Sequence, residues 1–150
     1  MTSATMPATV RLSIELPFPV SANRLWRQAA PVVHSRRGSF LGRTRVYLSP
    51  QYDAWLHEAD GVWLAQKGKG GWRPLHDQIG HYTLELVFDA TRRRRGQDGD
   101  NLCKCVHDWL QRVEIIKNDA LCDGASWVWG EAPAGCLATL QGRPVMREAG

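Results

Sequence analysis

Between Thr91 and Asp123 the chain reads TRRRRGQDGDNLCKCVHDWLQRVEIIKNDALCD. Four arginines, Arg92, Arg93, Arg94 and Arg95, are followed by the carboxylates Asp98 and Asp100, then by Lys104, and later by a further acid, Asp119. Clustered acids suit a hard divalent cation such as Mg²⁺ or Mn²⁺, which keeps several waters and takes few protein ligands. A block of guanidinium groups attracts a polyanion through phosphate contacts and counterion release. A metal held beside a phosphate-binding strip is equipment for hydrolysing a phosphodiester.

The elements that must position these groups are legible around them. Asp98 and Asp100 flank Gly99, and in an extended segment side chains two apart point to one side, so both can converge on one ion. From Asn101 onward, Leu102, Cys105, Val106, Trp109, Leu110 and Val113 have helical spacing for one buried face. Asp100, Lys104, His107, Asp108 and Gln111 then share the opposite face, with Lys104 one turn beyond Asp100. Asp119 sits past the helix in a polar turn, Lys117-Asn118-Asp119, and supplies a third carboxylate if the chain folds back beside the helix start. Each feature also has a plainer reading: an Asp before a helix is commonly an N-cap, worth about 1 kcal/mol, and arginine runs and polar-face lysines are commonly solvated. Their coincidence between Arg92 and Lys104 favours a site. The acids do not follow an EF-hand, since Trp109 stands where the bidentate Glu belongs.

The basic run, then Asp-x-Asp-Asn-Leu-x-Lys from Asp98 to Lys104, then Asn118-Asp119-Ala120 in the following turn, resembles the RusA family of Holliday junction resolvases. Leu16-Pro17-Phe18-Pro19 and Ser21-Ala22-Asn23-Arg24 are similar to that family's opening segment, and the resemblance runs from about Leu12 to Leu140. It implies Mg²⁺, with Mn²⁺ as a substitute, on Asp98, Asp100 and Asp119, and a lysine essential for cleavage at Lys104. It also implies DNA contacts from Arg92, Arg93, Arg94, Arg95, Lys104, Asn23 and Arg24. A homodimer would place two identical sites on a four-way junction for paired symmetric nicks in recombination and repair. Small resolvases of this kind accompany prophages. The chain departs from the family in placing Gly96 and Gln97 between the arginines and Asp98, and in carrying Asn118 where some relatives have a second acid. Asp123 is a further candidate acid.

Length and composition set the frame. At 150 residues one domain is expected, able to bury about two-thirds of its unfolded surface. The net charge of +4 is moderate, and Arg36, Arg37, Arg43 and Arg45 form a second basic cluster. No window approaches the ~20 apolar residues of a membrane span, and MTSATMPATV has no charged region before an apolar core, so no membrane association and a cytoplasmic location are expected. Cys103 and Cys105 diverge around a helix and do not form a zinc pair, so Cys103, Cys105, Cys122 and Cys136 are expected as reduced thiols. Five histidines show no triad or metal spacing, and His107 is expected to be solvent-exposed.

The remaining elements follow from periodicity. Residues 1–9 read as an unstructured extension, Val10 to Leu16 as a strand with one buried face, and residues 21–46 as a loop holding Trp26 and Phe40, either a surface loop or a nucleic-acid contact. Ser49-Pro50 opens a helix to about Gln66, with Tyr52, Trp55, Leu56, Ala59, Val62 and Trp63 inward. Residues 67–80 form a Gly-rich connection without the spacing of a phosphate-binding loop. Strands are expected at Tyr82 to Phe88, Ser126 to Gly130 and Cys136 to Gln141, then a frayed tail over 142–150. The order strand, helix, strand, helix, strand, strand predicts an α+β domain over 10–141, with both helices packed on one face of a small mixed sheet, as in the RusA fold. The alternatives are a non-catalytic nucleic-acid-binding module, whose acids are only caps, and a metal-dependent nuclease acting on other DNA structures.

Overall fold

A computed structural model describes residues 9–24, 26–29, 32–41, 45–69 and 79–144. In chain order the elements are β1 (Val10–Leu16), four short strands β2 (Trp26–Ala29), β3 (Val32–Ser35), β4 (Gly38–Leu41) and β5 (Arg45–Leu48), then α1 (Pro50–Lys69), β6 (Ile79–Asp89), α2 (Asp100–Arg112), β7 (Cys122–Gly130) and β8 (Cys136–Pro144). β1, β8, β6 and β7 form one mixed sheet in that order. β8 runs antiparallel to both β1 and β6, and β7 runs parallel to β6. Parallel neighbours need a crossover between them, and α2 provides it.

Strand alternation gives the sheet one apolar face. Ile14, Leu16, Tyr82, Leu84, Leu86, Phe88, Cys136, Ala138 and Leu140 are buried, whereas Arg11, Ser13, Glu15, Thr83 and Glu85 point to water. α1 covers the apolar face with Tyr52, Trp55, Leu56, Ala59 and Trp63, and α2 with Leu102, Cys105, Val106, Trp109 and Leu110. The architecture is α+β with both helices on one side of the sheet, as the order of elements predicts. The helices are joined where Trp63 meets Trp109 edge-on at 6.2 Å and where Asp60 accepts from Trp109 Nε1 at 3.0 Å and from Arg112 at 3.3 Å.

Helix boundaries follow from caps. Ser49 Oγ accepts from Tyr52 N at 3.1 Å ahead of Pro50, the arrangement expected at the start of α1. α1 runs to Lys69 rather than stopping near Gln66, because Gln66 is a tether: its amide accepts from Glu15 N at 2.8 Å and donates to Glu15 O at 2.7 Å. That pair satisfies the free edge of β1 and holds the last turns of α1 against the sheet. α2 ends on a left-handed residue, Glu114 (φ 61°), with Ile115 N donating to Leu110 O and Glu114 N to Gln111 O. This is the Schellman pattern with Glu where glycine is usual.

Several expectations are corrected. The 21–46 stretch is not a plain loop: β2 pairs with β5 and β3 with β4, both antiparallel. The β3–β4 ribbon closes on Gly38 (φ 119°), with Ser35 Oγ donating to Gly38 O and His34 Nδ1 bonded to Ser39 Oγ. Backbone pairing and turn contacts define such a ribbon, so it lacks the period-two apolar pattern of a strand over a core. β6 begins at Ile79 and β7 at Cys122, both earlier than expected, and 142–144 extend β8 instead of fraying. Residues 67–69 belong to α1 and 79–80 to β6; the expected extension over 1–8, the rest of the Gly-rich connection over 70–78 and the tail over 145–150 lie outside the described residues. All four cysteines are free thiols. Among the described residues no helix is long and apolar enough to cross a membrane.

Candidate functional site

The segment between β6 and α2 is built to hold its charges on one side. Asp89, the last residue of β6, accepts from Thr91 N at 3.0 Å and Thr91 Oγ1 at 2.7 Å, which turns the chain through the 3₁₀ turn Ala90–Arg92. Those two bonds, with Arg92 at 3.8 Å, hold the Asp89 carboxyl below its ordinary value. Arg94 N then donates to Gln97 Oε1 and Gln97 N to Arg94 O, both at 3.0 Å, closing the arginine loop with Gly96 at φ 72°. Gly96 and Gln97 are thus the loop's own clasp.

Three of the four arginines face a common groove. Arg92, Arg94 and Arg95 line a groove of about 700 Å³ together with Phe18 to Ser21, Asn23, Gln51, Asp98 and Asn101. The opening segment, through Phe18 to Ser21 and Asn23, and the arginine loop therefore line one concavity. Arg93 turns away and stacks over Trp129, its guanidinium carbon 5.1 Å from the ring centroid. The Arg24 side chain lies outside the described residues.

Asp98 and Asp100 stand at the mouth of α2. Asp98 Oδ1 accepts from Asp100 N at 3.1 Å, an Asx turn that starts the helix. Gly99, the N-cap position, is helical (φ −64°, ψ −29°) and has no capping side chain. Asp100 Oδ1 accepts from Trp127 Nε1 on β7 at 2.7 Å. Asp98 thus does structural work at the helix start while also facing the groove. Burial, with the nearby Asp100 and Asp98 charges, pushes the Cys103 thiol up to about 11, which keeps it protonated and a poor metal ligand.

Lys104 and Asp119 meet elsewhere on α2. Lys104 Nζ lies 3.2 Å from Asp108 Oδ1, and Lys104, His107, Asp119 and Cys122 line a smaller hollow of about 320 Å³. Asp119 opens the 3₁₀ turn Asp119–Leu121, which is capped by Asn118 Oδ1 accepting from Ala120 N at 2.9 Å. Asn118 is therefore the structural residue of the Asn-Asp pair. His107 is not solvent-exposed as expected: it is half-buried, with Nδ1 bonded to Tyr82 Oη at 3.1 Å. Burial holds its imidazole below the ordinary value, against the upward pull of Asp119 and Asp108 and with a further downward push from Lys104. Asp123 pairs with His81 at 3.0 Å on the surface.

Among the described residues no three His, Cys, Asp or Glu side chains lie close enough to hold one metal ion, Asp98, Asp100 and Asp119 included. The geometry of the crossover accounts for this. β7 is parallel to β6 and starts at Cys122, level with Tyr82, whereas Asp100 bonds to Trp127, which lies roughly 16 Å further along the strand. The structure brings Asp98, Asn23, Arg92, Arg94 and Arg95 to one groove, joins Asp100 to Asp98 through its backbone N–H and to Trp127 through its carboxylate, and puts Lys104 and Asp119 at a separate hollow. Trp127, Trp129, Gln51 and the Tyr82–His107 pair were missed in the sequence. The buried Gly99 between two acids was the available signal for Trp127, since glycine at such a position admits close approach of another group. The chain matches no protein-family model and no curated protein.

Proposed function

We propose that the chain is a Mg²⁺-dependent, structure-selective endodeoxyribonuclease of the RusA type, resolving four-way DNA junctions as a homodimer through paired symmetric nicks. The observation that carries the reading is that Asp98 lines the same groove as Arg92, Arg94, Arg95 and Asn23. Guanidinium groups and an Asn amide in a groove bind phosphate oxygens, and such contacts position a duplex without reading its sequence.

Asp98 and Asp100 would hold the ion. Mg²⁺ takes one or two carboxylates and completes its shell with water and substrate phosphate; each acid commits Oδ1 to a local bond and leaves Oδ2 without a protein partner among the described residues. An ion held there would supply an acidified water and polarise the phosphoryl oxygen. In this reading the arginines fix the strand, Asp98 and Asp100 face the phosphate, and Lys104 offsets charge developing on it. Asp108 Oδ1 holds the ammonium at 3.2 Å, beside the hollow that Lys104 and Asp119 line. Mn²⁺, with similar oxygen preference, would substitute.

One observation favours the rival reading, a nucleic-acid-binding module without catalysis: the Asx turn at Asp98, together with the lack of a three-ligand group among the described residues, is what helix-capping acids would give. Asp100→Asn separates the two. The amide oxygen can still accept from Trp127, so the fold is kept while the charge is removed. Turnover should fall at least ~100-fold, with junction affinity unchanged or tighter because a negative charge facing phosphate has gone. Native-rate cleavage by the variant would remove Asp100 from the site, and metal-independent binding without cleavage by the native chain would leave the module.

A further inference from the structure

We infer that Trp127 is the positioning residue that fixes the Asp98-Gly99-Asp100 turn for ion binding, an assignment that rests on the nuclease reading. The side chain reaches the turn in two ways. Its Nε1 donates to Asp100 Oδ1 at 2.7 Å, and its ring lies against Gly99 so closely that a Cβ there would fall 2.4 Å from Cδ2 and Cε3. The ring is itself held from the sheet: Trp127 pairs in register with Leu86, and its ring lies 6.4 Å from those of Phe88 and Trp129.

This arrangement ties the acids to the rigid sheet and not to the helix start alone. With one oxygen held by the indole and the main chain of the turn pressed against the ring, Asp100 keeps a single orientation and its second oxygen is available to a cation. Positioning of this kind by a neighbouring donor orients a ligating carboxylate, and its loss weakens metal affinity about 10- to 100-fold. Trp129, two residues on and on the same strand face, supplies the contrast: its Nε1 is buried without a hydrogen-bond partner among the described residues, so replacing it by Phe breaks no bond to an acid.

The test measures Mn²⁺ binding to DNA-free protein by calorimetry, alongside Mg²⁺ titration of junction cleavage. Trp127→Phe keeps an aromatic ring and removes the donor. It should weaken Mn²⁺ binding about tenfold, the equivalent of 1.4 kcal/mol, and raise the Mg²⁺ needed for half-maximal cleavage by a similar factor, with junction affinity in Ca²⁺ unchanged. Trp129→Phe should bind Mn²⁺ as the native protein does. A cooperatively folded W127F with native Mn²⁺ affinity overturns the assignment. Should W127F not fold, Gly99→Ala displaces the intact indole and gives the same comparison, with native affinity again overturning it. A native protein that neither binds Mn²⁺ nor cleaves would instead refute the nuclease reading itself, and this assignment with it; a native protein that does both while W127F matches it refutes only the role of Trp127.

Discussion

Gly99→Ala and Gly61→Ala make the same chemical change in two helical settings and should act with opposite sign. Gly61 lies inside α1, exposed, and a Cβ added there would meet nothing within 4 Å, so alanine should stabilise by about 0.5–1 kcal/mol through helix propensity. Gly99 has helical dihedrals too, and conformation alone would favour alanine by about 0.4–1 kcal/mol. Packing reverses this. A Cβ at 2.4 Å from the Trp127 ring, where ordinary contact begins at 3.4 Å, forces the ring back by about 1 Å and carries the 2.7 Å bond to Asp100 out to about 3.7 Å, beyond hydrogen-bonding range. Overpacking of this kind costs about 1–3 kcal/mol, and a lost bond to a charged acceptor about 1.5–3 kcal/mol. The bond is exposed to water, which places its share at the low end. After the conformational gain is subtracted, a net loss of about 1.5–4 kcal/mol remains, or about 2–4 °C in Tm per kcal/mol for a chain of this size. Urea and thermal unfolding followed by circular dichroism measure both variants. A G99A protein as stable as G61A, or more stable than the native chain, would refute the close packing of Trp127 on the acid turn.

The remaining predictions concern titration and DNA binding. His107 is held below its ordinary value of 6.5, so the unfolded chain takes up its proton first: stability linked to the neutral ring is complete above about pH 6.5 and declines as pH falls below it. His107→Gln should flatten the decline that sets in below about pH 6.5 in urea titrations, and an unchanged slope would refute it. Arg94→Ala should lower the slope of log affinity for DNA against log salt by about 1, whereas Arg93→Ala, whose guanidinium stacks on Trp129, should leave that slope unchanged and cost about 0.5–1 kcal/mol of stability. Equal slopes for the two variants would contradict the division of the arginine run.

The parts of the fold legible in the sequence were those in which side-chain period and burial coincide. Ile14 and Leu16, the Tyr82 to Phe88 alternation, and the Leu102 to Leu110 stripe each encode one apolar face, and all became core. What was not legible depends on partners distant in sequence. Gln66 extends α1 because Glu15 offers a free strand edge, and Glu114 ends α2 in a conformation that glycine ordinarily signals. The β2–β5 and β3–β4 ribbons are two-stranded sheets set by backbone pairing and turn contacts between short segments, which no side-chain period announced.

At the candidate site, local spacing gave the approach of Asp98 to three of the arginines, since all lie on one short connection; the extended Asp98-Gly99-Asp100 segment is not found, because Gly99 is helical and Asp98 accepts from Asp100 N in an Asx turn. The position of Asp119 is set instead by the register of β7 on β6, which no spacing within the α2 region records. The half-buried state of His107 comes likewise from Tyr82, on a different element. The turning of Arg93 onto Trp129 needed the parallel crossover to be known first.

On the proposed function, the groove that Asp98 lines with three arginines would cut branched DNA with a divalent ion. The most direct measurement is cleavage of a labelled four-way junction beside linear duplex of the same sequence, in Mg²⁺ and in chelator. Paired symmetric nicks in the junction, absent from the duplex and lost in chelator, are the predicted result. Binding of the junction by folded protein without cleavage in either Mg²⁺ or Mn²⁺ would contradict the account and leave Asp98 and Asp100 as residues that shape a helix start.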